Sequence, residues 1–114
     1  MTTISTHVLD TSLGTPAANI AVVLERIDEH GMATPVSNHV TDDDGRVGAL
    51  APIDGRVSGA SYRLSFDIAG YFAQTMRKSF YTKICIDFEV SDVPQHYHVP
   101  LLLSPFGYST YRGS

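Results

Sequence analysis

The chain has 114 residues, 43% hydrophobic and 18% charged, a composition that supports one packed core and excludes disorder. Its 8 Lys and Arg against 12 Asp and Glu give a formal charge of −4, with no basic run, which excludes nucleic acid or an anionic membrane as the main partner. Cys85 is the only cysteine and permits no internal disulfide. The opening residues carry neither a basic nor an apolar stretch, and no apolar run is long enough to span a bilayer. These features predict a cytoplasmic protein.

In chain order, the dominant hydrophobic period is two. Thr3 to Leu9, rich in β-branched residues, reads as a strand. Gly14 to Pro16 marks a turn, and Ile20 to Ile27 reads as a second strand with Val22 and Leu24 on its core face. Glu29 to Gly31 breaks the next pair of runs. Asp42, Asp43, Asp44 and Gly45 make a tight turn in which Gly is free to take positive φ. Pro52 to Gly55 and Gly59 punctuate the middle of the chain. Tyr62, Leu64, Phe66 and Ile68 then alternate with Arg63, Ser65 and Asp67 as a half-buried strand. Gly70 to Ser79 has room for a turn or two of helix, since Ala73, Gln74, Met76, Arg77 and Lys78 favour it. Lys83 to Val90 alternates again, with Ile84, Ile86, Phe88 and Val90 inward. A turn at Pro105 to Gly107 leads into a final strand from Tyr108 that takes in Tyr111 and Arg112. Many short strands at regular spacing predict an all-β sandwich or barrel, one domain over residues 1–114.

One segment departs from the alternation. Val99, Pro100, Leu101, Leu102 and Leu103 are apolar on both faces, so both faces must be covered. A second subunit is the favoured cover, and a locally deeper core is the alternative.

Few residues offer chemistry. His96 and His98 lie just before that apolar run and point to one side of an extended chain. His7 sits mid-strand between Ser5 and Leu9, and Arg46 follows the Asp-Gly turn. Alone, each reads more readily as a surface or hydrogen-bonded residue than as a catalyst. His7, His96 and His98 make a weak three-His zinc signal, ranked well below a metal-free site because no cysteine cluster accompanies them. The Asp42 to Asp44 run lacks the remaining ligands of a calcium loop and reads as a turn. Cys85 has no activating neighbour in sequence and reads as structural, and His30 and His39 receive no role.

Taken together, three motifs resemble one family. The stretch from His96 runs His-Tyr-His-Val-Pro-Leu-Leu-Leu-Ser-Pro-Phe-Gly-Tyr-Ser-Thr-Tyr-Arg-Gly-Ser to Ser114. It resembles the C-terminal signature of the 5-hydroxyisourate hydrolases, the transthyretin-related proteins. Thr6, His7, Val8, Leu9 and Asp10, followed by Gly14, Pro16 and Ala17, are similar to that family's opening motif, and Asp44, Gly45 and Arg46 to its middle motif. Thr82 stands where the family often has Pro, at a strand entrance remote from the chemistry.

The resemblance implies a transthyretin-like sandwich of two four-stranded sheets with one short helix. It implies a homotetramer with sites at the dimer–dimer interface and a catalyst without cofactor or metal. The implied reaction is hydrolysis of the cyclic amide of 5-hydroxyisourate to 2-oxo-4-hydroxy-4-carboxy-5-ureidoimidazoline, in urate degradation. His7, Arg46, His98 and Ser114 are the implied catalytic residues, with His7, Arg46, Tyr111 and Arg112 binding substrate. The runner-up is a binding module on the same sandwich, as in transthyretin, which needs no catalytic histidine.

Overall fold

The structure, a computed structural model, describes residues 2–50 and 60–114. The expected punctuation at Pro52 to Gly55 and Gly59 lies outside the described residues. The elements are β1 (Thr3–Asp10), β2 (Thr15–Pro16), β3 (Ala21–Ile27), β4 (Ala33–Val40), β5 (Arg46–Val47), β6 (Ala60–Asp67), α1 (Ile68–Gln74), β7 (Lys83–Val90), β8 (His96–Ser104) and β9 (Gly107–Thr110). They form two sheets. One has four antiparallel strands in the order β4-β3-β6-β7. The other runs β2-β1-β8-β9, and β5 adds a fifth strand by pairing with β1. No helix of the described residues is long and apolar enough to cross a membrane.

Period-two patterning explains how the layers close. In β7 the even positions Ile84, Ile86, Phe88 and Val90 turn inward, while Lys83, Cys85, Asp87 and Glu89 are exposed. Ile4 and Val8 of β1, Val22 and Leu24 of β3, Leu64 and Phe66 of β6 and Leu101 and Leu103 of β8 meet in the core fully buried. Each such apolar side chain contributes about 1.5–3 kcal/mol relative to exposure. On the outer face of the four-stranded sheet Arg63 grips Asp87 across the strands through two hydrogen bonds of 2.7 and 3.0 Å.

β4 is the strand that carries no alternation. It is an edge strand, mostly exposed, and its register against β3 shifts between Leu24 and Glu25, whose partners are Ser37 and Pro35. Proline has no N–H to give to a ladder, so an edge bulge is where it fits.

The helix differs from its expected position. It begins at Ile68, which the alternation assigned to the preceding strand, and ends at Gln74, so it occupies only the front of the Gly70 to Ser79 segment in which a turn or two was expected. Asp67 caps it, its carboxylate accepting from Gly70 N at 3.0 Å, and Ile68, Tyr71 and Phe72 form one buried stripe at i, i+3, i+4. Capping and burial outweigh the propensity of the Met76 to Lys78 segment, where Met76 takes φ +59° and closes the helix.

What positions the two chain ends is the pairing of β1 with β8. This pair is parallel and runs in register from Thr3 opposite His96 to Asp10 opposite Leu103. A polar lock holds the far end of β1. The fully buried Asp10 carboxylate accepts from the Tyr71 hydroxyl at 2.7 Å, from Arg77 Nη2 at 2.5 Å and from the Ser12 hydroxyl at 2.5 Å. Arg77 in turn lies over the Phe72 ring, 4.8 Å from its centroid.

The two-faced run of β8 sits between β1 and β9, so it is an interior strand of its sheet. Its core face packs Val99, Leu101 and Leu103, while Leu102 faces outward, half-buried, opposite Leu9 of β1. The final strand is shorter than expected. β9 ends at Thr110, so Tyr111 and Arg112 lie in a tail, not in the strand. At the end of β9 the Thr110 hydroxyl donates to Pro100 O at 2.7 Å, and the tail continues antiparallel along β8 in the same register, bridging Gly113 to His98.

Candidate active site

The outer face of the β1–β8 sheet gathers the polar residues singled out in the sequence. On β1, Ile4, Thr6 and Val8 are buried, which leaves Thr3, Ser5, His7 and Leu9 at the alternate positions. Register then does the assembly. β5 lays Arg46 directly opposite His7, and β8 lays His98 opposite Ser5 and His96 opposite Thr3.

Arg46 is held by its own turn. Asp42 Oδ1 accepts from the backbone N–H of Asp44 and of Arg46, both at 2.9 Å, and Asp42 N donates to Arg46 O at 3.0 Å. The Asp42 carboxylate is thereby committed to backbone, as the turn reading requires. Gly45 has φ +73°, and a Cβ there would collide with the Val8 carbonyl, so only glycine lets the turn lie against β1.

His98 is fixed from two sides. Its Nδ1 shares a 2.8 Å hydrogen bond with Ser5 Oγ. From the tail, Gly113 N donates to His98 O at 2.8 Å. A Cβ on Gly113 would stand 2.6 Å from His98 Cδ2, so the glycine allows the tail to press on the imidazole and delivers Ser114 beside it. Arg46, His96, His98 and Ser114 line one cleft of about 300 Å³, with Ser5 at its floor. Burial first, then the Arg46 charge, then His96 and His7, hold the His98 imidazole below the ordinary histidine value.

Two expected site residues lie elsewhere in the single chain. Tyr111 is exposed and borders an apolar groove with Ile86, Phe88 and Val99. Arg112 stacks on Tyr97, 4.7 Å from the ring centroid, and donates to Gln95 Oε1 at 2.7 Å. Sequence reading gave Ser5 and Thr3 no part, although Thr3, Ser5 and His7 share the polar side of one alternating strand, a signal visible in the residues themselves. Among the described residues, no three His, Cys, Asp or Glu side chains group so as to hold a metal ion. His96 turns both ring nitrogens, and His98 its Nδ1, to the hydroxyls of Ser5 and Thr3.

Comparison with known proteins matches residues 4–113 to the HIUase/Transthyretin family. The chain belongs to the HIUase/Transthyretin family. A 5-hydroxyisourate hydrolase of Salmonella dublin is 43% identical over 111 residues, covering 97% of this chain and 80% of that protein. Among solved structures of the family, 5-hydroxyisourate hydrolase of Klebsiella pneumoniae superposes with a TM-score of 0.84 at 38% identity, over 98% of this chain and 99% of that one. Sea bream transthyretin, in complex with thyroxine, superposes with a TM-score of 0.88 at 28% identity, over 96% and 93% of the two chains. Within the HIUase/Transthyretin family the fold is therefore common to hydrolases and to a thyroxine-binding protein, and the site must decide between them.

Proposed function

We propose that this chain hydrolyses the cyclic amide of 5-hydroxyisourate, opening the six-membered ring to 2-oxo-4-hydroxy-4-carboxy-5-ureidoimidazoline in urate degradation. The observation that carries this reading is the polar cleft. An imidazole whose charged form is disfavoured stands in one cleft with a guanidinium, where a carrier of an apolar ligand needs neither.

The chemistry divides among named groups. His98, neutral near pH 7, takes a proton from water through Nε2 as the water oxygen bonds to the C6 carbonyl. Arg46 meets the negative charge that grows on the carbonyl oxygen. His7, opposite Arg46, holds the ring or the water, and the Ser114 hydroxyl and carboxylate orient the imidazole beside them. Tyr111 and Arg112 border other surfaces of one chain, so they bind substrate by way of a neighbouring subunit. The exposed Leu13 and Phe106 and the outward pair Leu9 and Leu102 support a homotetramer whose dimers meet over this face. A lone cysteine supports a cytoplasmic location.

The test is the decay of freshly prepared 5-hydroxyisourate followed by ultraviolet absorbance. The chain is expected to speed the decay well beyond the spontaneous rate; binding without acceleration identifies a carrier and overturns the proposal. The pH profile adds a second readout. Because burial and Arg46 depress the His98 value, kcat/KM is expected to hold level downward from pH 7 and to fall only below about pH 6.5, the ordinary imidazole value. An acid limb with its midpoint above that value contradicts the role of His98.

A further inference from the structure

The hydrogen bonds at His98 do not stop at Ser5. Ser5, a residue only 8% exposed, touches through Oγ His98 Nδ1 at 2.8 Å and His96 Nε2 at 2.9 Å, and His96 Nδ1 lies 2.5 Å from Thr3 Oγ1. The two imidazoles stack 6.4 Å apart with an interplanar angle of 15°. A serine hydroxyl has one proton, so it donates to one imidazole and accepts from the other. Two arrangements follow. If Ser5 donates to His98 Nδ1, the neutral His98 must carry its proton on Nε2 and has no lone pair for water. If Ser5 accepts from His98 Nδ1–H, Nε2 is open, and the Ser5 hydroxyl donates to His96 Nε2 while His96 Nδ1–H donates to Thr3.

We propose that Ser5 is a positioning residue that keeps His98 in the Nε2-open tautomer, and that His96 is the group onto which the positive charge gained by His98 is passed. This rests on reading the cleft as the hydrolytic site. The protons balance. As the water oxygen bonds to carbon, a water proton goes to His98 Nε2. The His98 Nδ1 proton goes to Ser5 Oγ, and the Ser5 hydroxyl proton goes to His96 Nε2, leaving His96 as imidazolium with its Nδ1–H still on Thr3. When the ring C–N bond breaks, His98 Nε2 gives its proton to the departing nitrogen, and the two other transfers reverse. The displacement has an electrostatic reason. A charge on His98 faces burial, Arg46 on β5 and His7 on β1, whereas His96 is exposed at the start of β8.

The experiment is long-range nitrogen–proton NMR of the histidine rings at neutral pH without substrate, joined to steady-state kinetics. Wild-type protein is expected to show His98 protonated on Nδ1, and Ser5→Ala to shift it toward the Nε2–H form. Ser5→Ala is expected to lower kcat on the order of 10–100-fold with little change in KM, and Ser5→Thr, which keeps the hydroxyl on a β-branched residue, to recover most of it. His96→Gln keeps a partner for Ser5 but takes no charge; it is expected to lower kcat while the His98 tautomer stays. An Nε2–H tautomer in the wild-type protein, or an unchanged tautomer and kcat in Ser5→Ala, overturns the positioning role. An unchanged kcat in His96→Gln overturns the transfer of charge. The tautomer is read without substrate, so a chain inactive on 5-hydroxyisourate fails the functional proposal and leaves this measurement to stand separately.

Discussion

Replacing Arg46 with Ala is expected to lower kcat/KM for ring opening by on the order of 10²–10³-fold, the cost of losing one fixed group that stabilises an oxyanion. The guanidinium emerges from a turn whose backbone is pinned by Asp42 and whose glycine lies against β1, so its charge is preorganised over the cleft. His98→Asn removes the proposed base and is expected to cost about as much, within the roughly 10²–10⁴ that a positioned acid–base group supplies. Both side chains lie on the outer face of the sheet, away from the core. Thermal unfolding should therefore move by no more than about 0.5 kcal/mol equivalent in either variant. A variant with full activity removes its residue from the mechanism, and a variant that loses activity only because it unfolds fails the stability control.

The second large effect concerns Asp10. Its carboxylate is fully buried and gathers Tyr71, Arg77 and Ser12 around the end of β1. Burial alone would raise its pKa, but the hydrogen bonds from Arg77, Ser12 and Tyr71 together outweigh burial and hold the carboxyl below the usual carboxylate range. In return, burial first and then Asp10 push the Tyr71 hydroxyl up to about 12. Asp10→Ala leaves the Arg77 charge and the Tyr71 hydroxyl without their acceptor and is expected to cost about 3 kcal/mol or more. For a domain of this size that lowers Tm by on the order of 10 °C. The pH dependence has a defined sign. A depressed folded pKa makes the Asp10 contribution fully present above the unfolded value near ~3.9, and it fades as pH falls through the folded value. Wild-type and Asp10→Ala proteins should thus differ most in urea midpoint near neutrality and converge in strong acid. A constant difference at every pH would assign the loss to packing alone.

How much of this was legible in the residues depends on which force set each element. A strand governed by burial of one face, such as Lys83–Val90, follows from alternation, because a one-residue slip would expose every core side chain, whereas Thr3–Asp10 follows from its β-branched residues. β4 carries no such signal, since an exposed edge strand with a proline at a bulge buries almost nothing. The start of the helix at Ile68 is set by a cap and a three-residue stripe, both of which look like strand continuation until the turn is seen. β9 ends at Thr110 although the tail keeps the same register as far as Gly113 opposite His98, and no local pattern marks that interruption.

The candidate site shows the same division. Motifs single out His7, Arg46, His98 and Ser114, yet Arg46, His98 and Ser114 share one cleft, with His7 opposite Arg46, only because β1 pairs in parallel with β8 and antiparallel with β5. Ser5 escaped notice because a small hydroxyl in a β-rich segment looks like ordinary strand polarity. Its significance lies in the two imidazoles brought to it from β8. Tyr111 and Arg112 belong to the same terminal motif as Ser114, but a motif gives order along the chain and not direction in space. Within one chain Arg112 spends its charge on Tyr97 and Gln95.

The claim beneath the rest is that Arg46 and His98 serve a single reaction in one cleft. A double-mutant cycle on the ring-opening rate tests it most directly, comparing Arg46→Ala, His98→Asn and the combined variant against spontaneous decay. Groups that act as a unit give a combined loss little greater than the larger single loss. Losses that multiply fully, or a combined variant as fast as the unaltered chain, would contradict a shared site.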